Sequence, residues 1–121
     1  RDARTVISIA QPTAKLKGDF RFNPTTLGFN MPIQVGSQGR YELTGTLFAT
    51  GRDGVSRPVA QAATANWFKP GKGILSLNFN RANLPAGYGA PFELKFVELK
   101  DQTRLTQLES REMAARVGTK R

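Results

Sequence analysis

Apolar and polar residues alternate with a period of two along most of the chain, the pattern of strands with one buried face. In the stretch from Arg40 to Thr50, Tyr41, Leu43, Gly45, Leu47 and Ala49 fall on one side, and Arg40, Glu42, Thr44 and Thr46 on the other. Leu75, Leu77 and Phe79 alternate with Ser76, Asn78 and Asn80, and Phe92, Leu94 and Phe96 with Glu93 and Lys95. Leu16, Phe20 and Phe22 oppose Lys17, Asp19 and Arg21, while Phe29, Met31, Ile33 and Val35 form a fifth set. Residues 5–10, Thr-Val-Ile-Ser-Ile-Ala, read as a short edge strand ended by Gln11-Pro12.

The breaks between these runs carry turn chemistry. Gly51-Arg52-Asp53-Gly54 and Pro70-Gly71-Lys72-Gly73 each separate two strand-like segments. Glycine there supplies positive φ, and aspartate an Asx hydrogen bond. Neither is a phosphate loop, which needs Lys followed by Ser or Thr and then a helix; Lys72 is followed by Gly73 and a strand. Nor is either a calcium loop, which needs several oxygen ligands where Asp53 stands alone. Between the two turns, small residues occupy both parities, as in a strand packed on both sides or one with a bulge, and Pro58 is expected before its start. Trp67 is expected to pack between the sheets. Residues 80–91 form a Gly/Pro-rich connection, and the alternation changes phase after Phe96, where Val97 and Leu99 become the apolar pair. Residues 102–116 fit either a short helix with Asp101 as N-cap or a tight turn at Asp101-Gln102 followed by a strand over Thr103–Glu109. The strand is preferred because its predecessor needs a partner, and residues 111–121 are expected to be a frayed tail.

Seven or eight short strands with frequent turns fit an all-β, immunoglobulin-like two-layer sandwich of antiparallel strands, with a small β-barrel as the alternative. The length of 121 residues makes residues 1–121 a single domain. The opening Arg1-Asp2-Ala3-Arg4 reads as a module excised from a longer multi-domain chain. Composition then narrows function. The chain has no Cys and no His, which removes thiolate nucleophiles, the usual zinc ligands and the commonest general base. No apolar run reaches the ~18 residues of a membrane span. Its 18 Lys and Arg against 9 Asp and Glu leave a formal charge of +9, which attracts polyanions.

Three constellations were candidates for chemistry. Carboxylates at Glu93, Glu98 and Asp101, and at Glu109 and Glu112, read as solvated or turn residues rather than a converging acid/base pair, with Glu93 turned to solvent. Among the aromatics, Tyr88, and Phe48 or Phe68 by parity, are candidates for exposure, and Tyr88 between Gly87 and Gly89 suits a shallow ligand site. Lys15, Lys17 and Arg21 share one parity and are expected to project from one face, with Asp19 among them. No residue is assigned to catalysis, a cofactor or a metal.

The strand Gly39-Arg40-Tyr41-Glu42-Leu43, the Asp53-Gly54 turn, Pro58-Val59-Ala60 leading to Trp67, and Pro91-Phe92-Glu93-Leu94 running to Asp101-Gln102 form a further pattern. Over residues 39–105 it resembles the C-terminal immunoglobulin-like domain of an uncharacterised family of exported Gram-negative bacterial proteins. The resemblance implies a secreted or periplasmic accessory module whose partners are other domains of the same chain or another protein. It carries no known catalytic residues to transfer, because the family's activity is itself unknown. The alternative expectation is a module that binds an anionic polymer, polysaccharide or nucleic acid, through Lys15, Lys17, Arg21 and Tyr88.

Overall fold

The computed structural model describes residues 12–118, so the edge strand expected at residues 5–10 lies outside the described part. Eight strands are present among the described residues: β1 (Ala14–Leu16), β2 (Arg21–Asn23), β3 (Gly28–Val35), β4 (Gly39–Thr50), β5 (Ser56–Phe68), β6 (Gly71–Asn78), β7 (Gly89–Asp101) and β8 (Thr106–Val117). A short 3-10 turn, Arg81–Asn83, interrupts the β6–β7 connection. All pairings are antiparallel, and the strands make two sheets that do not close into a barrel. The larger sheet runs β5-β4-β7-β8. In the smaller one, β6 pairs along the whole of one edge of β3, while β1 and β2 share the other edge.

That shared edge is broken for a reason legible in β3. The carbonyl of Pro32 accepts from the Lys17 amide at 2.9 Å, so Pro32 directs its backbone toward the β1–β2 edge. Proline has no N–H to return, and the ladder fails opposite it. The chain leaves β3 after Lys17, turns through Gly18 at φ +91, and rejoins at Arg21 opposite Asn30. The single strand expected over Leu16–Phe22 is therefore two. Side chains of β8 close the gap: Glu109 accepts from the Leu16 amide at 3.0 Å, and Arg111 donates to the Gly18 carbonyl at 2.9 Å.

The core lies between the sheets, with Phe29, Met31, Ile33, Val35, Leu75 and Leu77 facing Tyr41, Leu43, Leu47, Leu94, Val97 and Leu99, all fully buried. Each such side chain contributes about 1.5–3 kcal/mol on burial. Gly45 marks the tightest approach, since a Cβ there would stand 2.9 Å from Leu77 Cδ1 and 3.1 Å from Leu94 Cδ1.

Bulges redirect several residues. In β7, Thr44 pairs with Glu98 and Thr46 with Lys95, so Gly45 faces both Phe96 and Val97. Phe96, at φ +55 and 53% exposed, is thereby turned out of the core that its parity predicted, and Val97 takes the inward place. In β5 the pairing steps from Ala60 opposite Leu47 to Pro58 opposite Phe48, leaving Val59 as the extra residue. Pro58 thus lies inside β5 rather than before it, on an edge strand where a missing donor is tolerated. Beyond the bulge, Ala60, Ala62 and Phe68 pack on the core, and Trp67, opposite Arg40, faces out at 54% exposure. Trp67 therefore does not pack between the sheets; Phe68 does, with its ring centroid 6.4 Å from that of Tyr41.

The C-terminal segment is a strand, and a longer one than expected. β8 pairs with β7 as far as Val117 opposite Phe92, so residues 111–117 are part of a ladder and not a frayed tail. β1 begins beside Asp101, through Thr13, and β8 ends beside Phe92; the described chain enters and leaves at opposite ends of β7.

Candidate anion-binding face

The outward side of the smaller sheet collects four cations. Lys15 lies opposite Gln34, and Gln34 opposite Lys72; one row further, Lys17 bonds to Pro32, which faces Ile74; the next row is Arg21, Asn30 and Ser76. With strand residues of one face about 6.7 Å apart and neighbouring strands about 4.8 Å apart, Lys15, Lys17 and Arg21 step along the edge while Lys72 stands about 10 Å across from Lys15. Lys17, Arg21 and Lys72 line one groove of about 400 Å3 whose floor is Asn30, Pro32, Ile33, Gly73 and Ile74. Ile74 is 60% exposed at its centre. The Asn30 amide oxygen accepts from Ser76 Oγ at 2.6 Å. Among the described residues no carboxylate forms an ion pair with any of these four cations, in contrast to Arg57, Lys95, Lys100, Arg104, Arg111 and Arg116.

The expectation that Lys15, Lys17 and Arg21 share a face agrees with this arrangement, and the break at Pro32 is what spreads Lys17 and Arg21 along the groove. Lys72, which the sequence sets beside a turn with Lys69 and apart from these three, joins them from β6. Its signal was present: Lys72, Ile74, Ser76 and Asn78 form the outward parity of β6.

Tyr88 belongs elsewhere. It sits at the Thr50–Gly89 end of the larger sheet, and its hydroxyl accepts from Arg57 Nη1 at 3.2 Å. Arg57 also pairs with Asp53 at 2.7 Å. That hydrogen bond from Arg57, aided by the Val55 amide, lowers the Asp53 pKa to about 2, and Asp53 with Tyr88 raises that of Arg57. Tyr88 is thus part of a latch between the β4–β5 turn and the β6–β7 connection, on no surface with Lys17, Arg21 and Lys72.

The carboxylates also have structural partners. Glu93 is 8% exposed rather than turned to solvent, because Ser56 Oγ donates to it at 2.8 Å while Lys95 and Arg116 flank it, each at 3.8 Å. Asp101 is fully buried. Burial acts to raise its pKa, but hydrogen bonds from Thr13 Oγ1 at 2.6 Å and from the Arg104 amide and guanidinium at 3.0 and 2.8 Å outweigh it and hold the carboxylate below its ordinary value. Glu93 pairs opposite Phe48 and Asp101 opposite Tyr41, so they lie at different ends of β4 and on opposite faces of the sheet. Among the described residues no group of three Asp or Glu is placed to hold a metal, and no helix is long and apolar enough to cross a membrane.

No curated protein matches the chain. A crystal structure of a DUF4785 family protein from Legionella pneumophila is similar to it, at 26% identity and a TM-score of 0.67 over 88% of this chain. The chain spans only 28% of that protein's length. A family model described as the C-terminal domain of DUF4785, a domain of unknown function, matches residues 13–117. Together with the two-sheet architecture, that match over nearly all the described residues places the chain in the family: it is a DUF4785 C-terminal domain.

Proposed function

We propose that this domain is a non-catalytic, immunoglobulin-like accessory module of an exported protein, and that it docks the rest of that protein onto an anionic polymer. The observation that carries the reading is the convergence of Lys17, Arg21 and Lys72 on one groove, with Lys15 on the same face. An accessory role accords with the chain matching little more than a quarter of a longer relative. Catalysis has no part in it, because Glu93 and Asp101 are each engaged by hydrogen-bond donors that fix strands or turns. Export rests on the resemblance over residues 39–105.

Fluorescence anisotropy of labelled heparin tests the docking surface. The wild-type domain is expected to bind at physiological ionic strength, and the triple reversal K17E/R21E/K72E to weaken binding by at least about tenfold, since three close cations become repulsive. Reversal of Arg40, Arg52 and Arg116, equal in charge but off the face, is the comparison. If both triples weaken binding equally, only the +9 total matters and the docking face is wrong.

A further inference from the structure

The groove's lining points to a class of polymer. Resting on the reading above, we propose that its ligand is a linear acidic polysaccharide, carboxylated or sulfated, and not a nucleic acid. Surfaces that hold single-stranded nucleic acid pair a basic track with aromatic side chains on which bases stack, and stacking supplies about 1–3 kcal/mol per base. Among the described residues no aromatic side chain lines this groove. The molecule does have outward aromatics, but Trp67 and Phe96 lie on the larger sheet, with Phe96 6.1 Å from Phe48. Base-edge recognition in a duplex needs an element that enters a groove; this face is a sheet surface, whose cations would reach a duplex only at its phosphates.

What the groove does offer suits a sugar acid. Pro32 and Ile74 form an aliphatic platform between the cations, which matches the C–H face of a pyranose ring. Lys17, Arg21 and Lys72 stand around that platform, where ring carboxylates or sulfates would project. Asn30 lines the groove, and Gln34, between Lys15 and Lys72, adds a second amide. Both have donors and acceptors for ring hydroxyls. Ile74 is also hard to explain as packing, being 60% exposed in the middle of a charged surface.

Competition binding at physiological ionic strength separates the classes, with heparin, polygalacturonate, an oligo-dT strand and uncharged dextran as probes. At least one of the two acidic glycans is expected to bind about tenfold tighter than oligo-dT. Ile74→Ser is expected to weaken glycan binding about fivefold while leaving oligo-dT unchanged, because only a ring face covers Ile74. Ile74 is exposed, so this change is compatible with folding, and a thermal melt of each variant verifies it. Oligo-dT binding as tightly as both glycans, or insensitivity of glycan binding to Ile74→Ser, overturns the polysaccharide assignment while leaving an anionic-polymer face intact. Failure of every charged probe to bind overturns both.

Discussion

Asp101 is where one side chain organises the most structure. It lies at the end of β7, accepts from Thr13 ahead of β1 and from the Arg104 amide in the β7–β8 turn, and pairs with the Arg104 guanidinium, which also donates to the Gln38 carbonyl. Close by, the Tyr41 hydroxyl donates to the Ser37 carbonyl and lies 3.1 Å from that of Thr13. Asp101→Asn keeps the shape but loses the charge, and is expected to cost about 1–3 kcal/mol at neutral pH by urea denaturation. Because the folded-state pKa is lowered, the stabilisation by ionised Asp101 is fully present above the ordinary value of 3.8 and is lost as pH falls through the lower folded value. The gap between wild type and Asp101→Asn should therefore narrow in acid; a gap constant down to the lowest accessible pH would mean that the charge contributes nothing. Asp53 is lowered in the same direction and titrates in both proteins, so the difference isolates Asp101. The sequence identified Asp101 as a turn residue, but its network was hidden, since Thr13 is 88 positions away.

Among the elements, those with uninterrupted alternation were legible and those with bulges were not. β3, β4 and β6 bury the sets their parity selects, whereas the extra residue in β7 turns Phe96 out of its set, and Trp67, expected between the sheets as the single Trp and not by parity, faces out from β5. The phase change after Phe96 was visible, yet parity alone gave no sign which residue was the extra one. The β7–β8 hairpin shows a related effect in its turn. Leu105 is 90% exposed at φ +57, a left-handed conformation that costs an ordinary side chain about 1–2 kcal/mol and that asparagine tolerates. Leu105→Asn is expected to stabilise the protein by about 1 kcal/mol in thermal melts, since it gives up no buried contact. A lowered melting temperature would show that the leucine has packing value this geometry does not reveal.

At the scale of the molecule, the sequence conveyed two layers of strands but not which strands share a layer. Membership places Lys72 of β6 beside Lys15 and Lys17 through β3, so three of the four cations of the basic face followed from parity and the fourth from a pairing between strands nearly 40 residues apart. The path of the chain has a mechanical consequence. Phe92 and Asp101 are separated by nine strand steps, about 30 Å, and β1 and β8 begin and end beside those opposite ends. Tension between residues 12 and 118 would run along the strands and load the three-residue β1–β3 ladder and the longer β7–β8 ladder in shear. Tension between Gly39 and Phe68, which face each other across the open end of the β4–β5 hairpin, would instead separate pairs one by one. The chain has no cysteine of its own, so thiol handles can be placed at either pair of sites. Optical-tweezers pulling should find a clearly higher rupture force for the first geometry, and equal forces would count against a shear-loaded sandwich.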